Sequence, residues 1–197
     1  FTYYMPTKVF FGKACVAQSG EVLADLGRKA LLVTGRHSAK VNGSQAAVVE
    51  KLDELGISWF LFDEVENNPS VATIRKAAAF ASEKGVDFVI GIGGGSPMDA
   101  AKAIALVCTN ELDDEQLFTG PYGKPLPIVA VPTTAGTGSE VTKVSVLTNP
   151  KAGTKQSINT PLIFPDDAFV DPAFTESVPE TVTIDTAIDF ILLFELP

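Results

Sequence analysis

The stretch Asp87-Phe-Val-Ile-Gly-Ile-Gly-Gly-Gly-Ser-Pro-Met-Asp-Ala-Ala-Lys102 leaves few folds open to this chain. Phe88, Val89, Ile90 and Ile92 form an apolar run bounded by turn residues, as a strand of a parallel sheet covered on both faces requires. Gly91, Gly93, Gly94 and Gly95 then remove the Cβ atoms from the turn, so the backbone can take positive φ and a ligand can approach the main chain. Ser96 beside Pro97, with Asp99 three residues after the serine, reads as a helix start: a hydroxyl N-cap, proline at the first helical position, a carboxylate in the first turn. Such a helix aims unpaired N–H groups and the positive end of its dipole at whatever lies over the turn, and phosphate is the natural occupant. The alternative is a tight turn with no ligand; three consecutive glycines between a buried strand and a capped helix weigh for phosphate.

The rest of the chain repeats the alternation. Strands are predicted at residues 9–11, 30–34, 57–62 and 127–131, and helices at 16–26, from Ser44 onward, and at 71–84 between the Ser70 N-cap and Gly85. Shorter strands follow at 144–147, 155–158 and 168–170, joined by turns. Strand and helix in alternation predict an α/β fold, a Rossmann-like parallel sheet with helices on both faces. The 197 residues suffice for one large domain or for one domain plus a fragment of another.

In such sheets ligands sit beyond the carboxyl ends of the strands. Three loops there are polar and carry glycine, at 35–40, 91–96 and 133–139, which favours a dinucleotide over a single phosphate. Gly35 is followed by Arg36, Ser38 and Lys40 with no carboxylate before Glu50, a pattern that suits a 2′-phosphorylated ribose and hence NADP(H) over NAD; a solvated basic turn is the alternative. Asp99 and Lys102 follow the glycines closely enough to face the ligand, although Asp99 can also serve as a cap. Thr133, Thr134, Thr137 and Ser139 offer uncharged hydroxyls to ribose or the nicotinamide amide, or to their own backbone.

A net charge of −9 and a pI near 4.6 argue against nucleic acid or an anionic membrane as partner. No apolar run reaches membrane-spanning length and no basic region precedes an apolar one at the start, so a cytoplasmic location is expected. Cys15 and Cys108 are too few for a disulfide framework, and His37 is the only histidine.

Gly93-Gly-Gly-Ser-Pro-Met-Asp-Ala-Ala-Lys102, Pro132-Thr-Thr-Ala-Gly-Thr-Gly-Ser-Glu140 and Pro165-Asp-Asp-Ala-Phe-Val-Asp-Pro172 together resemble the N-terminal, cofactor-binding half of the iron-containing (group III) alcohol dehydrogenases, over about residues 5–189. The resemblance implies a dehydroquinate synthase-like domain over residues 1–180, with 181–197 as the start of a helical metal-binding domain. It implies that the first motif binds the cofactor pyrophosphate, that the threonine loop lines the adenine and nicotinamide sites, and that glycine at position 35 goes with NADP. It also places Lys155 near the nicotinamide end, and any catalysis left without the metal is expected to use Lys155 or a threonine hydroxyl.

The family's metal site, which takes iron or zinc, uses an aspartate and a histidine four residues later, plus two further histidines. Asp189 matches the aspartate, but Leu193 stands where the histidine belongs, and leucine ligates no metal. With His37 on the ribose loop no other imidazole is left, so the metal is expected to be absent, and the eight apolar-rich residues from Phe190 look like a truncation or an altered reading frame. The expected function is an NADP(H)-binding oxidoreductase domain with weak or metal-independent activity on a small alcohol or aldehyde. The alternatives are a non-catalytic nucleotide-binding module serving as an assembly or regulatory half and, less favoured, an enzyme of polyol or sugar phosphates. A homodimer would cover apolar surface left by the missing domain.

Overall fold

Six strands, all parallel, form the central sheet of the computed structural model, in which residues 4–149, 152–181, 183 and 184 are described. In chain order the elements are β1 (Lys8–Phe11), α1 (Cys15–Ser19), β2 (Lys29–Thr34), α2 (Ser38–Val41), α3 (Ser44–Glu54), β3 (Ser58–Phe62), α4 (Val71–Lys84), β4 (Phe88–Gly93), α5 (Gly95–Val107), α6 (Gln116–Thr119), β5 (Ile128–Pro132), β6 (Val144–Asn149), β7 (Thr154–Asn159) and β8 (Asp167–Val170). The sheet order is β1-β8-β5-β4-β2-β3, while β6 and β7 form a separate antiparallel hairpin. The predicted Rossmann-like α/β class is therefore the fold.

Every residue of β4 and β5, and all but the first of β2, is buried, as their unbroken apolar runs require. One face packs Leu31, Val33 and Val89 against α4, α5 and, through Leu147 and Ile158, the hairpin. The other packs Leu32, Ile90, Ile92 and Phe169 against Cys15, Val16, Ala39, Val48 and Leu52 of α1, α2 and α3. Each large side chain fully withdrawn from water in these layers contributes about 1.5–3 kcal/mol. The contact between α5 and β4 is close enough to need glycine: a Cβ on Gly91 would lie 2.8 Å from the Cβ of Ala101.

The Ser70 hydroxyl caps α4 by accepting from the Thr73 N–H, and Gly85 ends it at φ 64°, as the sequence signals predict. The expected helix over 16–26 is instead α1 followed by a 3-10 turn, Gly20–Asp25. Gly20, where one gives way to the other, lies against the Lys51 stem, whose Cγ a Cβ would approach to 2.5 Å. The 35–40 loop contains the single turn α2. Among the described residues no helix is long and apolar enough to cross a membrane.

The chain runs from β2 outward to β3 and then returns to β4 on the other side of β2. The loops after β2 and β4 therefore diverge, and the crevice between them is the place where an open parallel sheet accepts a ligand.

Candidate functional site

A cleft of about 380 Å3 opens at that point. Gly35 and Ser38 line it from the loop after β2, Gly94, Gly95 and Ser96 from the mouth of α5, and Thr133, Thr134 and Thr137 from the loop after β5. The three loops singled out in the sequence thus meet. Two more join them: Val65 and Asn67 after β3, and Ser177 to Pro179 after β8. The polar stretch Glu66-Asn-Asn-Pro-Ser70 reads as a helix start, but its place beyond a parallel strand was the signal that it also faces the cleft.

The glycines have defined work. Gly93 takes φ 146°, where L side chains are strained, and its carbonyl accepts from the Thr133 N–H at 2.9 Å, locking the two loops together. A Cβ on Gly94 would lie 3.2 Å from Thr134 Oγ1, and one on Gly95 would lie 3.2 Å from Thr137 Cγ2. These amides stay open to the cleft because nothing projects from them.

The helix start differs from the sequence expectation. Gly94, not Ser96, is the N-cap residue, and no side chain caps α5. Ser96 lies inside the first turn, where its hydroxyl accepts from the Asn68 N–H at 3.1 Å and ties down the loop after β3. Asp99 consequently falls in the second turn, not the first. An uncapped thirteen-residue helix leaves its first N–H groups for another acceptor, the state in which a helix end binds an anion.

Asp99 and Lys102 are not among the residues lining the cleft. The Asp99 carboxylate accepts from the Val146 N–H at 3.0 Å and the Ser139 hydroxyl at 3.2 Å, while its carbonyl accepts from Ser145 Oγ at 2.7 Å. Burial raises its carboxyl pKa, opposed by these bonds and by Lys102. Lys102, wholly buried, donates to the Val144 carbonyl at 2.9 Å and to Thr142 Oγ1 at 3.3 Å. Burial presses its ammonium down to about 8. Ser139 lies behind the threonines, bonded to Asp99. These three residues clamp the β6–β7 hairpin to α5, so they act on the cleft from behind.

Lys155 stands on β7 opposite Thr148, exposed and outside the cleft lining. Thr148 in turn donates from its N–H to the Pro69 carbonyl and from Oγ1 to the Asn68 carbonyl, each at 2.9 Å. Lys155 is therefore one strand away from the tie that holds the Asn67 loop. Asp189 and Leu193, with the proposed domain boundary's continuation, lie outside the described residues.

The ribose loop holds a residue the sequence reading missed. Lys40 pairs with Asp63 at 2.6 Å, and this bond holds the Asp63 carboxyl below the usual range, with Arg36 adding to the effect. Reading forward from Gly35 finds no carboxylate before Glu50, but β3 lies beside β2 with Val33 level with Phe62, which brings Asp63 beside the loop. Gly35 itself leaves open space, since a Cβ added there would find its nearest neighbour in the Val65 carbonyl oxygen at 3.7 Å.

Among the described residues, no carboxylate, histidine, cysteine, lysine or arginine lines the cleft. Its polar surface is made of amides and neutral hydroxyls, which suit an anion and offer a divalent cation little. Among the described residues no group of three or more His, Cys, Asp or Glu could hold a metal ion.

Known proteins share this fold. The family model of iron-containing alcohol dehydrogenase matches residues 6–172. The probable NADH-dependent butanol dehydrogenase 1 of Bacillus subtilis is 37% identical over 97% of this chain and 50% of its own length. Lactaldehyde reductase of Escherichia coli is 35% identical over 91% of the chain and 48% of its own. Among solved structures, an iron-containing alcohol dehydrogenase from Thermotoga maritima superimposes with a TM-score of 0.90 at 45% identity, over 96% of this chain and 52% of that one. Sulfoacetaldehyde reductase from Bifidobacterium kashiwanohense, solved in complex with NAD+, gives 0.84 at 34% identity, over 96% and 50%. The chain spans about half the length of the relatives it matches.

Proposed function

Because this chain belongs to the iron-containing alcohol dehydrogenase family, we propose that its cleft holds the pyrophosphate of a nicotinamide dinucleotide and serves an oxidoreductase of small alcohols or aldehydes. The observation that carries the reading is the uncapped start of α5, whose bare Gly94 and Gly95 face a cleft with no charged side chain on its described walls. The N–H groups of Gly95, Ser96 and the loop before them would take the pyrophosphate oxygens. Thr133, Thr134 and Thr137 would hold ribose and carboxamide groups, with Asn67 at the far wall. The bound nicotinamide supplies a carbon that accepts or gives up hydride. This chain's residues orient it, and the hairpin clamp behind α5 keeps that orientation fixed.

NADP(H) is the coenzyme form proposed from the room beside Gly35 and from Arg36. Asp63 limits that preference, since it already occupies Lys40 and leaves exposed Arg36 as the cation for a 2′-phosphate. One solvated ion pair contributes about 0–1 kcal/mol, so a preference of at most about fivefold is expected. Three relatives carry NADH in their names, which weighs the other way.

The described residues offer a metal ion no set of three or more His, Cys, Asp or Glu ligands. With Leu193 four residues after Asp189 and His37 the only histidine, these 197 residues are proposed to turn over alcohols weakly or by a metal-independent route, through Lys155 or a threonine hydroxyl of the cleft. The same shortage of imidazoles favours a second reading, a nucleotide-binding module that assembles with a partner and does no chemistry of its own. Homodimerisation through β1 is the proposed assembly: it is an edge strand with Val9 42% and Phe11 75% exposed. Oxidation of NADH and NADPH with butyraldehyde, with and without a chelator, tests these readings. Slow, chelator-insensitive turnover supports the first reading and bound coenzyme without turnover the second. Rapid, chelator-sensitive turnover overturns the incomplete metal site.

A further inference from the structure

We propose that Asn68 is a positioning residue for coenzyme binding, its main chain held between α5 and the β6–β7 hairpin so that Asn67 stands at the wall of the cleft. The proposal rests on the dinucleotide reading of that cleft.

The starting observation is a backbone outlier beside the site. Among the described residues only Ala14 and Asn68 take positive φ without being glycine, Asn68 at 56°. A side chain disfavours that region, and the ring of Pro69 restricts the residue before it further. Such a conformation persists only where the surroundings enforce it, and it gathers at sites that must be held in one shape.

Two elements enforce it here. The Asn68 N–H donates to Ser96 Oγ at 3.1 Å, in the first turn of α5, and the Asn68 carbonyl accepts from Thr148 Oγ1 at 2.9 Å, on β6. Thr148 also donates its N–H to the Pro69 carbonyl at 2.9 Å and forms a parallel bridge with Ser70. The flanks of the loop are fixed independently. The Val65 N–H donates to the Thr34 carbonyl at 3.3 Å, and the Glu66 carboxylate accepts from the Ser70 N–H at 2.9 Å and from Thr73 Oγ1 at 2.8 Å. Between these ties lies Asn67, exposed, lining the cleft and without a hydrogen bond to any described residue.

Ser96 lines the cleft as well. Its oxygen accepts from Asn68 while its own O–H donates to no described residue, so that proton stays available to an anion. The Asn68 side chain is exposed and forms no hydrogen bond among the described residues. What the position requires is tolerance of a left-handed φ, which asparagine has, glycine has more fully, and a β-branched residue lacks. Asn68 therefore acts through its main chain, by setting where Asn67 and Ser96 stand, and does not need to touch the coenzyme.

NADH fluorescence titration of the whole chain and five variants tests this, with urea unfolding of each alongside. Thr148→Val removes the donor to the Asn68 carbonyl and should weaken NADH about three- to tenfold, the worth of one hydrogen bond. Thr148→Ser keeps the hydroxyl and should restore affinity to within about twofold of wild type. Asn68→Val should weaken NADH at least about tenfold, whereas Asn68→Gly, which keeps the left-handed turn, should stay within about twofold. Gln156→Ala loses the bond from Asn149 Nδ2 at 2.7 Å, so it loosens the hairpin without releasing Asn68 and should leave affinity unchanged. Wild-type affinity in Thr148→Val or in Asn68→Val, no rescue by Thr148→Ser, equal losses in Asn68→Gly and Asn68→Val, or a loss in Gln156→Ala as large as in Thr148→Val would each overturn the positioning role and leave the dinucleotide reading standing. No NADH binding by the wild-type chain would sink that reading itself, and the proposal with it.

Discussion

Lys102 sits at the junction of α5 and the β6–β7 hairpin, and replacing it with methionine tests the electrostatics that shape the back of the cleft. Burial lowers its ammonium from 10.5 to about 8, so the folded state carries a charge it disfavours. At about 1.4 kcal/mol per pH unit, that gap is worth about 3 kcal/mol. Below pH 8 both folded and unfolded chains hold the proton, and the penalty is present in full. Between 8 and 10.5 the folded chain releases it first, so the unfolded state binds more protons and stability rises with pH. Above 10.5 the penalty is gone. From pH 7 to pH 9.5 this one group should stabilise the protein by about 2 kcal/mol.

Methionine has similar length, no charge, and forfeits the bonds to Val144 O and Thr142 Oγ1. Urea unfolding of both proteins at pH 7 and 9.5 isolates the effect, since the difference between them removes other titrations. Cys108, raised to about 11 by burial, acts in the opposite direction in both. Wild-type should gain about 2 kcal/mol on Lys102→Met across that interval. Parallel pH dependences in the two proteins would refute the buried, charged lysine.

Gly94→Val should leave the fold intact, since Gly94 has φ −78° and ψ −163°, but its side chain would enter the cleft against Thr134; dinucleotide affinity should fall by at least about 30-fold, read by NADH fluorescence titration. Asp63→Ala frees Lys40 beside the ribose loop and should raise NADPH affinity about threefold while leaving NADH within about twofold, read by the same titration. Thr148→Val removes the hydroxyl bond to the Asn68 carbonyl and should cost about 0.5–1.5 kcal/mol in urea unfolding, with faster amide exchange around Asn67.

The fold was legible because β2, β4 and β5 are unbroken apolar runs closed by glycine or proline, and because Ser70 and Gly85 mark the ends of α4 in residues whose chemistry permits little else. Within the site, the glycine and threonine loops declared themselves by composition. Ser96 misled, because a serine before a proline looks like a cap; the glycines let α5 start earlier, with Gly94 as its N-cap, and the serine hydroxyl serves Asn68 instead. Asp63 was invisible to a reading along the chain, since its relation to Gly35 comes from strands side by side in the sheet, whereas Asn67 was signalled only by its place beyond a parallel strand. Asp99 and Lys102 have the charges of ligand contacts, and only the placement of the hairpin shows that their partners are Val146, Ser139 and Val144.

The central claim, that bare amides at the start of α5 take a pyrophosphate, is open to direct measurement by 15N–1H NMR on the protein titrated with ADP-ribose. The account predicts saturable shifts concentrated at Gly94, Gly95, Ser96 and residues 133–137, absent in Gly94→Val. Saturable binding that leaves those amides unmoved would contradict it.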